Sequence, residues 1–294
     1  LFLKILCFIS LAYLLLINII WAKYNFMFSY HYMGSDNFNS IIDLFLSLKN
    51  STAEFLLNIA RSAYGHSSYP FFYFFYSSIV GLMLQEISMV SVVISNYLLI
   101  LITALFAYKI ALELKDKISG YLAFLIVISY PAVYGISRYA MLENMLTPLT
   151  AIFIYLLIKS SNFTSLKYSL AIGLMLSLGL LTKYHFLMFI AGGVILELIY
   201  YFVELPKNPV KQNFKKIVNM VVITAIAAAC FLPYYLNNYK DIMRFFLMSY
   251  NAQGPLGGEF TPSGTLQSWL YYICLLYTSP SPRDRTRSRM PSSA

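Results

Sequence analysis

Residues Met89–Leu112 read MVSVVISNYLLILITALFAYKIAL, a run in which Lys109 is the single charged side chain. A helix crosses the hydrocarbon core of a bilayer with ~20 mostly apolar residues, so this stretch is long enough to span. Residues 1–22, 119–137, 145–159, 168–182, 186–203 and 217–236 share its character. All are rich in Leu, Ile, Phe and Tyr, without the period-two alternation of a membrane barrel strand. Composition agrees: 59% of residues are hydrophobic and 11% charged, and the mean hydropathy is +0.67. A soluble domain of this length does not hide so much apolar surface. The expected fold class is therefore all-α, a polytopic transmembrane helical protein of seven spans with a long first loop over residues 23–88.

The two ends read differently. The chain opens on Leu1 rather than Met, which suggests that its start is missing. From Cys274 it reads CLLYTSPSPRDRTRSRMPSSA, where apolar periodicity stops and Arg, Ser and Pro take over. Residues 274–294 resemble a translated sequencing adapter more than a disordered basic tail, and are set aside from fold reasoning. Without their four Arg and one Asp the formal charge falls from +9 to +6. No basic stripe survives to bind nucleic acid. Cys7 and Cys230 both lie in apolar spans, which gives neither a disulfide framework nor metal spacing. The expected domain is thus the membrane part over 1–273.

Positive charge sets the orientation. With a cytoplasmic N-terminus, the inner loops hold Lys4, Lys109, Lys115, Lys117, Lys159, Lys167, Lys207, Lys211, Lys215 and Lys216, in short dense clusters. Lys23, Lys49, Arg61, Arg138, Lys183, Lys240 and Arg244 are scattered through longer outer segments. The first loop then faces out. Within it, 41–48 and 53–63 are short amphipathic segments expected to lie along the interface. Residues 69–84, YPFFYFFYSSIVGLML, read as a surface-lying or re-entrant helix, with Tyr69, Tyr73 and Tyr76 in the headgroup region.

This topology gathers Asp36, His66, Arg138, Glu143, Lys183 and His185 at one face. A charge at membrane depth costs ~2.5–3.5 kcal/mol on insertion scales, so such groups tend to be paired or functional. Each has a simpler reading. Asp36 caps a helix, Arg138 and Glu143 form an interfacial ion pair, Lys183 snorkels to the headgroups, and the histidines are satisfied surface groups. Sequons at Asn50-Ser51-Thr52 and Asn162-Phe163-Thr164 carry little weight if the source is prokaryotic.

Ordered motifs now matter. Asp36-Asn37 stands early in the first loop, followed by His66-Ser67-Ser68-Tyr69-Pro70-Phe71-Phe72-Tyr73. Pro131 to Ser137-Arg138 is followed by Glu143; Gly179-Leu180-Leu181-Thr182-Lys183 ends a span; Leu232-Pro233-Tyr234 precedes Asn237-Asn238. In this order the chain resembles the polyprenyl-phosphate-sugar-dependent membrane glycosyltransferases of GT-C type, which include the protein O-mannosyltransferases and the lipid A aminoarabinose transferase. The resemblance runs through residues 1–250. It departs where Asn37 replaces the second acid of an Asp-Glu pair, where one Pro of a Pro-Pro pair is missing, and where Glu143 replaces a more usual Asp.

The resemblance implies sugar transfer from a lipid phosphate to an acceptor hydroxyl on a protein, lipid or glycan, with inversion at the anomeric carbon. Asp36 is then the catalytic base and Glu143 an orienting acid. Arg138 and Lys183 stabilise the departing phosphate, while His66, Tyr69 and His185 contact substrate. The expected setting is a prokaryotic plasma (inner) membrane with the site on its outer face. The expected partners are the polyprenyl-phosphate-linked sugar donor, the acceptor and membrane lipids, with no nucleic acid. No cofactor is expected: a divalent metal is conceivable, but no ligand pair has metal spacing. The rival reading is a transporter or lipid-linked sugar flippase using the same charges, which favours mid-membrane charges and repeated halves absent here.

Overall fold

The computed structural model describes residues 2–24, 35–51, 53 and 70–250. His66, Tyr69, most of segment 53–63 and the tail 274–294 lie outside the described residues, as does the side chain of Asp36. Contacts divide the chain into units 1–238 and 239–294. Of the second, residues 239–250 are described, as the end of the last helix.

Among the described residues the elements are helices, with no strand: α1 (Phe2–Tyr24), α2 (Ser35–Asn50), α3 (Phe72–Met83), α4 (Met89–Leu114), α5 (Lys117–Ser129), α6 (Pro131–Ile136), α7 (Glu143–Lys159), α8 (Leu166–Leu180), α9 (Phe186–Glu204) and α10 (Val210–Tyr250). Helices α1, α4, α9 and residues Val210–Arg244 of α10 are long and apolar enough to cross a membrane. The apolar helices α3, α5 and α8 are shorter. The protein is a polytopic helical membrane protein.

Each apolar stretch singled out in the sequence is helical, but 119–137 is not one span. It breaks at Tyr130, whose ψ of 119° is extended. Pro131 imposes this, because its ring disfavours a helical preceding residue and it has no N–H to give. The chain restarts at once as α6, with Pro131 in its first turn. Other boundaries follow capping chemistry. Ser88 and Ser91 form a reciprocal capping box at α4, and the Asp116 carboxylate accepts from the Ser119 N–H at 2.7 Å to start α5.

Helix α3, expected as a surface-lying or re-entrant helix, is shorter than the spanning helices and packs against α2 and α4. Tyr73 has 0% exposure, and its hydroxyl donates to Asn96 Oδ1 at 3.0 Å. Tyr76 donates to the Ser95 carbonyl, and Ser77 pairs with Ser95. Tyr73 and Tyr76 therefore face polar groups of α4, while Tyr69 lies outside the described residues. A polar side chain removed from water keeps its hydrogen bonds by finding partners within the protein, and α4 supplies them. The predicted 41–48 segment is the middle of α2, whose Phe38, Ile41, Leu44 and Phe45 are buried as α2 packs on α3.

Two apolar clusters form the interior. One joins α2, α3, α4, α7, α8 and α9, and the other joins α1, α4 and α5 around Tyr97, Ile100 and Phe124. Tyr97 also donates to the Leu11 carbonyl at 2.7 Å, tying α4 to α1. Helix α4 touches α1, α3, α5 and α7, and so organises the bundle.

Candidate active site

The site is built around the turn between α6 and α7. Residues 137–142 leave their backbone groups outside any regular helix, and such groups need partners when buried. Asparagines from three elements supply them, and one from a fourth binds a side chain of the turn. Asn18 of α1 donates to Ser137 Oγ at 3.1 Å. Asn37 of α2 donates to the Ala140 carbonyl at 2.7 Å. Asn96 of α4 donates to the carbonyls of Ser137 and Tyr139 at 3.0 and 2.9 Å. Asn144 of α7 donates to the carbonyls of Ile136 and Tyr139 at 3.3 and 3.0 Å. Four helices thus fix the turn that carries Arg138.

Arg138 is not paired with Glu143. Its Nε donates to Asn18 Oδ1 at 3.0 Å, and its Nη2 donates to the Tyr134 hydroxyl. Its guanidinium lies 4.1 Å from the Tyr134 ring centroid and 4.8 Å from that of Trp21, within cation–π range of both. The short chain separation made Glu143 look like the partner. The side chains diverge because Arg138 belongs to the turn while Glu143 begins α7.

Glu143 instead meets Lys183, with Nζ 2.5 Å from Oε1. The acid sits in the first turn of α7, where the helix dipole favours negative charge. Lys183 arrives from the α8–α9 turn, which is tight because of Gly179. A Cβ at that position would overlap the ring of fully buried Phe186, so only glycine lets Phe186 seat there. The Lys183 N–H then donates to the Gly179 carbonyl at 3.0 Å, and the Phe186 N–H to the Lys183 carbonyl at 3.0 Å. This is the physical content of the Gly-Leu-Leu-Thr-Lys motif. The Lys183 side chain is 15% exposed and that of Glu143 39%, so the pair is accessible from one side.

His185 lies beside this pair with its ring stacked on Tyr184 at 4.2 Å between centroids. Its Nδ1 is buried and has no hydrogen-bond partner among the described residues. Burial holds its pKa below 6.5, the nearby Lys183 charge lowers it further, and Glu143 acts in the opposite sense.

Asp36 falls in the first turn of α2, one residue before Asn37, whose side chain binds the Ala140 carbonyl. The backbone at Asp36 is therefore anchored to the Arg138 turn. The Asn37 that departs from an Asp-Glu pair is itself the anchor. The structure accordingly brings together Glu143, Lys183 and His185, while Arg138 stands on the turn that precedes Glu143, with the start of α2 anchored to that turn. Sequence reasoning missed Asn18, Trp21, Asn96, Tyr134 and Asn144. The available signal was an isolated Asn within an apolar run, at positions 18 and 96.

Two cavities flank the site. One of about 90 Å³ is bordered by Glu143, Asn144, Thr103 and Thr147. The other, about 410 Å³, is a half-open groove between α1 and the α5–α6 junction, lined by Tyr13, Leu14, Ile17, Ile128, Pro131 and Tyr134 among others. Among the described residues, no three His, Cys, Asp or Glu side chains gather as metal ligands would.

No curated protein matches the chain significantly. A family model described as dolichyl-phosphate-mannose-protein mannosyltransferase matches residues 63–247, which takes in the Arg138 turn, Glu143 and the Lys183 motif and begins after Asp36. With the helical membrane architecture and this site, the match shows that the chain belongs to the dolichyl-phosphate-mannose-protein mannosyltransferase family, which are membrane glycosyltransferases dependent on a polyprenyl-phosphate sugar.

Proposed function

We propose that this protein transfers a sugar, with mannose the first to assay, from a polyprenyl phosphate to an acceptor hydroxyl at the outer face of the membrane, with inversion. The observation that carries the reading is the asparagine-clamped turn, which fixes Arg138 and the start of α2 at the end of α7 where Glu143 meets Lys183. Two cations and a carboxylate at one end of the bundle suit a reaction in which negative charge grows on a leaving phosphate.

The acceptor oxygen attacks the anomeric carbon from the face opposite the phosphate. The new carbon–oxygen bond forms as the bond from carbon to phosphate oxygen breaks. The hydroxyl proton passes to the Asp36 carboxylate, and polyprenyl phosphate departs with the bonding pair. General-base help of this kind is worth ~10²–10⁴-fold. Arg138 and Lys183 stabilise the departing phosphate, and such preorganised charge is effective because the site is partly shielded from water. Glu143 orients Lys183, and His185 lies against the same substrate space.

The test is transfer of labelled sugar from polyprenyl-phosphate-mannose to acceptor peptides, lipids and glycans, with wild-type protein and Asp36→Asn. We expect wild-type turnover, with Asp36→Asn lowering turnover at least ~10²-fold while donor binding persists. Turnover retained in Asp36→Asn would remove the base assignment. Absence of transfer to every acceptor, with the lipid sugar moved across the bilayer instead, would replace the transferase reading with the flippase one.

A further inference from the structure

Nothing in the proposed chemistry assigns work to the first helix, yet α1 places a polar side chain against the key cation. Asn18 has 0% exposure and stands between Ile17 and Ile19 in an otherwise apolar run. Burying an amide there is unfavourable unless both of its ends are bonded. Both are: Nδ2 donates to Ser137 Oγ, and Oδ1 accepts from Arg138 Nε at 3.0 Å. Ser137 Oγ in turn donates to the Tyr134 carbonyl at 2.8 Å, which closes the network on the residue whose ring supports the guanidinium.

A mere tie between helices needs only the Ser137 contact. The other contacts constrain the plane and rotation of the Arg138 head. Asn18 holds Nε, Tyr134 holds Nη2, and the Tyr134 and Trp21 rings lie near the guanidinium at 4.1 and 4.8 Å. Nη1 has no hydrogen-bond partner among the described residues. An arginine fixed through Nε and Nη2, with donors to spare, is prepared for an oxyanion. The groove of about 410 Å³ is an independent observation. It is largely apolar, runs between α1 and the α5–α6 junction, and includes Tyr134 in its lining. An apolar groove that reaches the ring supporting a cation fits an amphiphile with an anionic head.

We infer that Asn18 is a positioning residue that, with Trp21 and Tyr134, presents Arg138 to the phosphate of a lipid phosphate monoester whose chain enters along α1. The assignment of that monoester to the polyprenyl phosphate released by sugar transfer rests on the transferase reading; the recognition of a lipid phosphate does not.

Trp21 provides the probe. The chain holds two tryptophans, so a Trp269→Phe background leaves Trp21 as the sole indole emitter. The full chain in lipid nanodiscs is titrated with polyprenyl phosphate, with phosphatidic acid and with phosphatidylglycerol, a diester of equal apolar bulk. We expect either monoester to change Trp21 emission saturably and the diester to have little effect. Preference for polyprenyl phosphate over phosphatidic acid identifies the source. Asn18→Leu should weaken the binding about tenfold, equivalent to ~1.4 kcal/mol. Asn18→Asp, which keeps an acceptor for Nε, should return it to within about threefold of wild type. Should Asn18→Leu fail to fold, Asn18→Ser, which shortens the side chain, carries the same expectation. In the transfer assay, Asn18→Leu should weaken product inhibition by polyprenyl phosphate about tenfold and lower kcat, while the acceptor KM stays near wild type.

No saturable response to either monoester, or equal affinity in the Asn18 variants and wild type, would overturn the inference. A variant that loses thermal stability without changing kcat or inhibition by polyprenyl phosphate would also overturn it, by reducing Asn18 to a structural tie. Asn18-dependent binding without sugar transfer would sink the transferase reading and leave the inference standing. Transfer indifferent to Asn18 would do the reverse.

Discussion

Two turns, one at each end of α7, each gather a lysine and a glutamate, and they treat them in opposite ways, while a separate Lys159–Glu113 ion pair at 2.6 Å ties α7 to α4. At the first end, Lys183 meets Glu143 directly, both side chains retain some exposure, and the neighbouring His185 Nδ1 is unpartnered among the described residues. At the other, Lys216 is only 3% exposed and reaches no carboxylate directly. Its Nζ donates to Asn162 Oδ1 at 2.7 Å, and Asn162 Nδ2 donates to Glu197 Oε2 at 3.1 Å. Asn219 adds a bond to the Phe163 carbonyl at 2.6 Å. Ser161, Asn162 and Phe163 all have positive φ, between 49° and 61°, a run that non-glycine residues adopt only when their surroundings impose it. One end is a direct, partly exposed ion pair. The other is a closed relay in which an amide, held in a strained turn, serves both charges. On the proposed function, the first end carries the chemistry and the second the architecture.

Breaking the relay should have the largest effect on stability. Asn162→Leu removes the amide that bonds the Lys216 ammonium in the interior, and leaving a buried donor unsatisfied costs ~1–3 kcal/mol, more when it is charged. Thermal unfolding in detergent should show this loss, while donor KM of the surviving folded protein stays unchanged. The same burial closes the Asn162 sequon, because its side chain is occupied within the fold. At the opposite end, Gly179→Ala forces a methyl into the Phe186 ring, with an expected cost of ~1–3 kcal/mol from overpacking. That variant should also lower turnover, since the tight turn positions Lys183. A loss of stability without loss of turnover would separate the motif from the site.

The smallest effect is on pH dependence, and it sharpens the comparison because the Lys216 end has no histidine among its described residues. The pKa of His185 is depressed in the folded protein, first by burial and then by Lys183. The unfolded chain therefore binds a proton more readily than the fold does below about pH 6.5. This contribution to stability is complete above that pH and is lost as pH falls toward the folded pKa. His185→Gln should flatten the corresponding acid limb of a Tm-against-pH curve. An unchanged limb would place the titrating group elsewhere.

Much of the fold was legible because apolar runs of spanning length have few alternatives in water. The breaks were legible only where a residue such as Pro131 imposes them. The partners of Tyr73 and Tyr76 were not legible because they come from the next helix, and a tyrosine-rich stretch looks the same facing headgroups or facing Asn96. At the site, the ionisable residues were visible individually, but their pairing was not. Glu143 found Lys183, 40 residues on in the chain, rather than nearby Arg138. The asparagine clamp was invisible because a lone Asn within an apolar run shows only that a partner is needed. The left-handed turn at 161–163 carries no glycine to announce it.

The most direct measurement is a paired one: Lys183→Met and Lys216→Met, each assayed for sugar transfer per folded molecule and for thermal stability. Lys183→Met should lose about 10²-fold or more in transfer, the scale of removing one preorganised charge, with Tm close to wild type because a partly exposed pair contributes only ~0–1 kcal/mol. Lys216→Met should lower Tm and leave transfer per folded molecule intact. Full transfer by Lys183→Met, with transfer lost in Lys216→Met at unchanged Tm, would put the chemistry at the wrong end of the bundle and contradict this account.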